Sequence, residues 1–310
     1  MKISIIGSGK VGVATALFLI EKKVADIILI DIVKDWAAGN ALDIVQASPV
    51  RRYDVDISGY SDISMIKDSD VVVITAGKPR LPGMSREDLL KDNAKTMKIV
   101  SENVAKYAPN AILIVVTNPL DVMSYLTLKV TGFALRKVIG MAGILDSTRF
   151  RYFIAKELGV SPKNVTALVL GGHGDLMVPL PRYSTVHGIP ISYLLPRATI
   201  ERLIERTRKG GGEIVAYLKT GSAYWSTGSS IAEMVECIIR DRKRIVPCSA
   251  YLRGEYGIDG LFVGVPIKIG RNGVEDIIEL SLNKEEKKAL HTSAEKVREV
   301  IEKLETENVI

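Results

Sequence analysis

Three features of this 310-residue sequence predict an α/β fold, a doubly wound parallel sheet followed by an α+β half. Short apolar runs alternate with longer segments of helical period, the signature of strands and crossover helices. A glycine turn, Gly7-Ser8-Gly9-Lys10-Val11-Gly12, joins the first apolar run to the first helical segment. An apolar content of 47% supplies enough side chains for a full core.

The elements follow in order. Apolar runs place strands at 3–7, 27–31, 55–58, 71–75, 112–116 and 138–139, with helices at 11–22, 36–47, 86–106 and 121–130 between them. Six such strands with crossovers make a Rossmann-type sheet covered on both faces. After about Gly143 the pattern changes: a helix at 147–157, β-like runs at 165–170 and 181–185, and long helices at 198–218 and 229–239. Strands resume at 243–252, 260–269 and 274–280 before a charged terminal helix at 284–306. The expected division is therefore 1–143 and 144–310, with no Ser-, Gly- or Pro-rich linker between the halves, so both should pack around one cleft.

The glycine turn has the logic of a phosphate site. Gly7 permits a tight turn, Gly9 lets the backbone approach a pyrophosphate, and Gly12 lets the helix pack on the strand. The free N–H groups of the helix start then face the anion. Strand 27–31 ends in Asp31, nineteen residues after Gly12, where an acid accepts both ribose hydroxyls of an adenosine. It would repel the 2′-phosphate of NADP, so the expected cofactor is NAD. Taken alone, Asp31 also fits a solvated acid closing a strand.

Composition narrows the remaining classes. The net charge of +6 comes from 42 basic and 36 acidic residues scattered through the chain, which disfavours nucleic acid as a partner. Two cysteines, Cys237 and Cys248, show neither metal-ligand spacing nor a disulfide framework and suit a reducing cytosol. The first strand begins at once, and no apolar run approaches the roughly 20 residues that span a bilayer. The expectation is a cytoplasmic protein with neither a membrane partner nor a metal.

Among three histidines, His173 stands in Gly171-Gly172-His173-Gly174-Asp175, where flanking glycines leave the imidazole reachable; His187 and His291 lack such a setting. Imidazole exchanges protons near neutrality. The run Leu145-Asp146-Ser147-Thr148-Arg149-Phe150 sets an acid and an arginine three apart, on one helix face. Alone, Asp146 fits a helix cap and Arg149 a salt-bridge residue. The loop Gly77-Lys78-Pro79-Arg80-Leu81-Pro82-Gly83-Met84-Ser85-Arg86 reads as a mobile basic lid or as a solvated loop. Thr117-Asn118-Pro119-Leu120 ends the fifth strand, where open α/β sheets bind ligands, though an asparagine before proline also suits a plain turn.

The ordered set GSGKVG, KPRLPGMSRED, TNPLDV, LDSTRF and GGHGD resembles the lactate/malate dehydrogenase family, on its lactate-dehydrogenase-like malate side, and the likeness runs from Met1 to the terminal helix. It implies NAD-dependent hydride transfer to and from a 2-hydroxy acid. His173 would give and take the proton, Asp146 would hold its ring, Arg149 would clamp the substrate carboxylate, and Arg86 would polarise the carbonyl. Cofactor contacts would come from Gly7, Gly9, Lys10, Val11, Gly12, Asp31, Asn93, Thr117 and Asn118, with Asn118 also near the substrate. Ser222 and Ala223 would line the substrate pocket.

Substrate choice falls on Arg80. The family has arginine there in malate enzymes and typically glutamine in lactate enzymes. A second substrate carboxylate would meet that charge, whereas pyruvate would leave it unpaired, at a cost of about 3–5 kcal/mol, or about 10²–10³-fold. The dicarboxylate pair malate and oxaloacetate is therefore expected. A lactate or broad 2-hydroxyacid dehydrogenase, or a non-catalytic NAD-binding redox sensor, are the rivals. The resemblance also implies a homo-oligomer, a dimer of dimers with helix 36–47 at a contact. Two departures from the family pattern are Leu176 after GGHGD and Trp36 at the start of that helix.

Overall fold

The computed structural model describes residues 1–78 and 86–307, apart from the side chains of Arg86 and Asp88. Arg80 and the rest of the expected lid, 79–85, lie outside the described residues, as does the Arg86 side chain.

The first half follows the alternation of the sequence. Strands β1 (Lys2–Ile6), β2 (Asp26–Ile30), β3 (Ile57–Tyr60), β4 (Val71–Ile74), β5 (Ile112–Val115) and β6 (Val138–Gly140) pair in parallel in the spatial order 3-2-1-4-5-6. Their crossovers carry α1 (Lys10–Glu21), α2 (Trp36–Gln46), α3 (Ser48–Arg51), α4 (Arg86–Tyr107) and α5 (Leu120–Thr131). Every residue of β4 and β5 is buried, as central strands covered on both faces require. Strand β3 starts two residues later than the apolar run 55–58 suggests. Its parallel ladder with β2, Ile27↔Ile57 through Ile30↔Tyr60, sets the register, and the Asp31 N–H donates to the Tyr60 carbonyl at 3.1 Å.

The second half contains α6 (Gly143–Leu158), the two-residue strands β7 (Val165–Thr166), β8 (Val169–Leu170), β9 (Val178–Pro179), β10 (Thr185–Val186) and β11 (Ile189–Pro190), and helices α7 (Ile191–Leu194), α8 (Arg197–Leu218) and α9 (Trp225–Ile239). Strands β12 (Arg244–Arg253), β13 (Asp259–Gly270) and β14 (Gly273–Ile277) and the terminal helix α10 (Lys284–Thr306) follow. The expected run 165–170 is broken in two because β7 pairs with β10 and β8 with β9, in different sheets. At 181–185 a 3₁₀ turn, Pro181–Tyr183, replaces the start of the expected strand, since Pro181 brings no N–H to a ladder. Helices α6 and α9 each begin four residues before their expected starts, without a side-chain cap to mark them.

Strands β12, β13 and β14 extend the first sheet antiparallel, giving nine strands in the order β14-β13-β12-β6-β5-β4-β1-β2-β3. The join is the pair Ser249↔Gly140, where a Cβ on Gly140 would come within 2.8 Å of the Ser249 side chain. One apolar cluster runs through both halves, from Ile3 and Val73 to Val263 and Leu290. A second cluster, built on Phe150, Ile154, Val165 and Leu203, supports α6 from the far side.

Candidate active site

Strand order reverses between β1 and β4, and it is beyond the carboxyl ends of the strands at such a point that open α/β sheets bind ligands. Gly7 leaves β1 with φ +104°, a conformation that strains any L side chain. A Cβ on Gly7 would lie 2.7 Å from the Ala76 nitrogen, and one on Gly12 would lie 1.9 Å from the Gly7 carbonyl oxygen. A Cβ on Gly9 meets nothing within 4 Å. The turn is thus packed tight at its two ends and open in the middle, which fits a pyrophosphate lying against Gly9.

Asp31 reaches back to this turn. Its Oδ2 accepts the Ser8 N–H at 2.8 Å and its Oδ1 accepts the Val33 N–H at 3.0 Å. The Ser8 carbonyl accepts the indole N–H of Trp36 at 2.9 Å and the Asn40 amide at 3.3 Å. Trp36, a departure in sequence, therefore braces the turn. Lys10 and Val11 open α1, and the Lys10 ammonium sits 5.6 Å from the centre of the Tyr224 ring, beside the exposed Ser222 and the partly buried Ala223.

The loops after β4 and β5 are tied together from behind. Thr117 Oγ1 donates to the Ala76 carbonyl at 2.6 Å. Buried Asn93, on α4, accepts the Lys78 N–H at 2.8 Å and donates to the Asn118 carbonyl at 2.9 Å. Both ends of the Asn93 amide hold loops in place, and Asn118 itself is exposed.

Asp146 lies inside the first turn of α6 and does not cap it. Its side chain is 2% exposed, and the two oxygens divide their work: Oδ2 accepts His173 Nδ1–H at 2.9 Å, and Oδ1 accepts from Arg149 at 3.2 Å. Burial alone would pull the His173 pKa down, but the charge and hydrogen bond of Asp146 outweigh it and hold it above its ordinary value. Burial pulls the Arg149 guanidinium down from its ordinary range against the attraction of Asp146. Arg149 remains a cation, because arginine does not titrate in proteins. Its Nε is buried without a hydrogen-bond partner among the described residues, so the guanidinium keeps donors in reserve.

Sequence reasoning missed what anchors the histidine loop. Buried Asp121, in the first turn of α5, accepts the His173 N–H on Oδ2 at 3.0 Å and the Ser249 hydroxyl on Oδ1 at 2.6 Å. Ser293 of α10 accepts the Gly172 N–H at 2.8 Å, and Gly171 exchanges backbone bonds with Gly264 of β13. A signal for Asp121 existed: it is a single acid at the start of an otherwise uncharged buried stretch, 120–128.

Residues 1–140 match the NAD binding domain of lactate/malate dehydrogenase, and residues 144–308 match the alpha/beta C-terminal domain of the same enzymes. The chain belongs to the lactate/malate dehydrogenase family. It carries the family's NAD-binding half, and NAD is its cofactor. A malate dehydrogenase of Methanosarcina barkeri is 52% identical over 98% of this chain and 99% of its own length. The apo malate dehydrogenase of Picrophilus torridus superposes with a TM-score of 0.96 at 50% identity, covering 98% of this chain and 97% of the other. The lactate dehydrogenase of Cryptosporidium parvum, complexed with lactic acid and NAD, superposes with 0.95 at 42% identity over 98% of both chains. Such near-equal scores mean that backbone shape does not separate malate from lactate enzymes; a few side chains must.

No helix among the described residues is long and apolar enough to cross a membrane, and none of their His, Cys, Asp and Glu side chains form a group that could hold a metal.

Proposed function

We propose that this chain is a malate dehydrogenase, interconverting (S)-malate and oxaloacetate with NAD through a His173/Asp146 proton relay. The observation that carries this reading is the buried Asp146 carboxylate shared between His173 Nδ1 and Arg149. When bound, NADH supplies the hydride that reaches the carbonyl carbon. Asp146 keeps Nδ1 protonated, so Nε2 on the opposite edge of the ring delivers the proton to the carbonyl oxygen and recovers it in the reverse direction. Arg149 takes the carboxylate beside the reacting carbon with its planar fork. Arg86 stabilises the charge developing on oxygen. Arg80 pairs with the second carboxylate.

The wider reading is that residues 1–143 hold the cofactor and 144–310 the substrate. The turn residues Gly7, Gly9, Lys10, Val11 and Gly12 face the pyrophosphate, Asp31 the ribose, and Thr117 and Asn118 the nicotinamide end, with Asn93 holding their loops. The exposed apolar side chains of Trp36, Leu42 and Val45 on α2, with Ile32 before it and Val50 after it, support a subunit contact around this helix, as in a dimer of dimers. Light scattering across a concentration series tests that assembly. Two buried free cysteines suit the reducing cytoplasm.

The decisive assay is NADH oxidation with oxaloacetate and with pyruvate, by the wild type and by Arg80→Gln. The wild type should favour oxaloacetate by about 10²–10³-fold, and Arg80→Gln should erase most of that preference. Equal turnover of both acids by the wild type would remove malate from the proposal and leave a broad 2-hydroxyacid dehydrogenase.

A further inference from the structure

We propose that Asp121 is a charged positioning residue for His173, coupling the nicotinamide-side loop to the proton donor; this rests on the relay reading above. Asp121 stands three residues after Asn118, so its own backbone belongs to the loop and helix start that follow β5. Its side chain crosses to the other half of the molecule, where it accepts the backbone N–H of His173 and the hydroxyl of Ser249 on β12. One carboxylate therefore joins the β5 loop, the histidine loop and β12.

The anchor leaves little slack. A Cβ on Gly172 would sit 3.2 Å from Asp121 Oδ2 and 3.3 Å from Ser293 Oγ, so the backbone passes between two hydrogen-bonding side chains. Ser293 holds Gly172 and Asp121 holds His173, two successive N–H groups fixed from α10 and α5. The Asp146 contact fixes the ring while the Asp121 contact fixes the backbone that carries it.

A buried carboxylate needs compensation, and each source is visible. The positive end of α5 lies behind Asp121, which occupies its first turn, and two donors point at its oxygens. Asparagine could keep one acceptor but would turn an N–H₂ toward Ser249, reversing that bond and removing the charge. The charged groups acting on His173 are Asp146 and Arg149 from α6 and Asp121 from α5, while α10 and β13 contribute uncharged Ser293 and Gly264. Burial raises the Asp121 carboxyl above its ordinary range against the two hydrogen bonds.

The test compares Asp121→Asn and Asp121→Ala with wild type by steady-state kinetics, NADH titration and histidine NMR. With only three histidines in the chain, the His173 resonance is assignable by His173→Asn. Asp121→Ala should lower kcat about 10²-fold, the scale of a roughly 1 Å misplacement, with NADH affinity within about twofold of wild type. Asp121→Asn should keep most of kcat yet move the His173 titration midpoint to lower pH. A kcat for Asp121→Ala within about twofold of wild type, or a His173 midpoint unmoved in Asp121→Asn, overturns the proposal, even if both variants melt earlier. Should Asp121→Ala fail to fold, the isosteric variant decides alone. The NMR arm needs no substrate, so a failure of oxaloacetate turnover would sink the proposed function without touching this result.

Discussion

The turn after β1 and the loop after β8 carry the two groups of candidate site residues but are built from different materials. The first is nearly all backbone: its shape depends on a positive φ at Gly7 and on the missing Cβ of Gly12. The second is built from charge, with Asp146, Arg149 and Asp121 converging on one imidazole from two helices. Backbone recognition is written locally, in glycine spacing. A charged cluster is written across the chain, in residues 121, 146, 173 and 249, and exists only when the fold brings them together.

The largest effect that separates the two regions is at His173. His173→Asn should cut turnover about 10²–10⁴-fold and leave NADH binding within about twofold, read by stopped-flow and fluorescence titration. A matching loss of NADH affinity would show that the regions are not separable in this way.

Asp146→Asn comes next, with a turnover loss of about 10–100-fold and a changed pH profile. On the proposed relay, reduction requires protonated His173, so its rate should hold at low pH and fall as pH rises through the raised pKa, and malate oxidation should show the opposite limb. Without the Asp146 charge, burial dominates, and the falling limb of reduction moves to lower pH. An unmoved limb would reject the electrostatic role. The same linkage has a sign for stability: the His173–Asp146 contribution is complete below about pH 6.5, the unfolded value, and is lost as pH rises through the folded one.

Gly12→Ala should act on the other region. The added methyl collides with the Gly7 carbonyl, costing about 1–3 kcal/mol of stability and weakening NADH binding by more than it lowers kcat at saturating cofactor. Thermal melting with and without NADH checks both parts. The smallest effect should come from Lys78→Ala, which breaks an exposed 2.9 Å ion pair between the loop after β4 and Asp92 of α4. A stability change under about 1 kcal/mol is expected, and a larger one would mean that this pair helps to hold the loop after β4.

The contrast also explains what the sequence revealed. The glycine turn, Asp31 and the alternation of β1 to β6 were legible because each follows from local sterics or periodicity. His173 was singled out by its flanking glycines, but its pairing with Asp146 and Arg149 was assigned through family likeness, since an acid at 146 reads locally as a cap. Asp121 stood out only as a lone acid in the apolar stretch 120–128, and its partners could not be read because they lie 52 and 128 positions away. The displaced start of β3 had a similar cause, being set by a ladder with β2 and not by its own apolar run.

The junction at Ser249↔Gly140 has a thermodynamic consequence. Because one sheet and one apolar cluster pass through both halves, neither has a surface along which it can melt alone, and the chain should unfold in a single calorimetric transition. NADH, though it binds at one end of this structure, would then protect the whole of it. By mass action, cofactor at a hundred times its dissociation constant adds about 2.7 kcal/mol to that one transition, so amide exchange should slow in β12 and β13 as much as in β1.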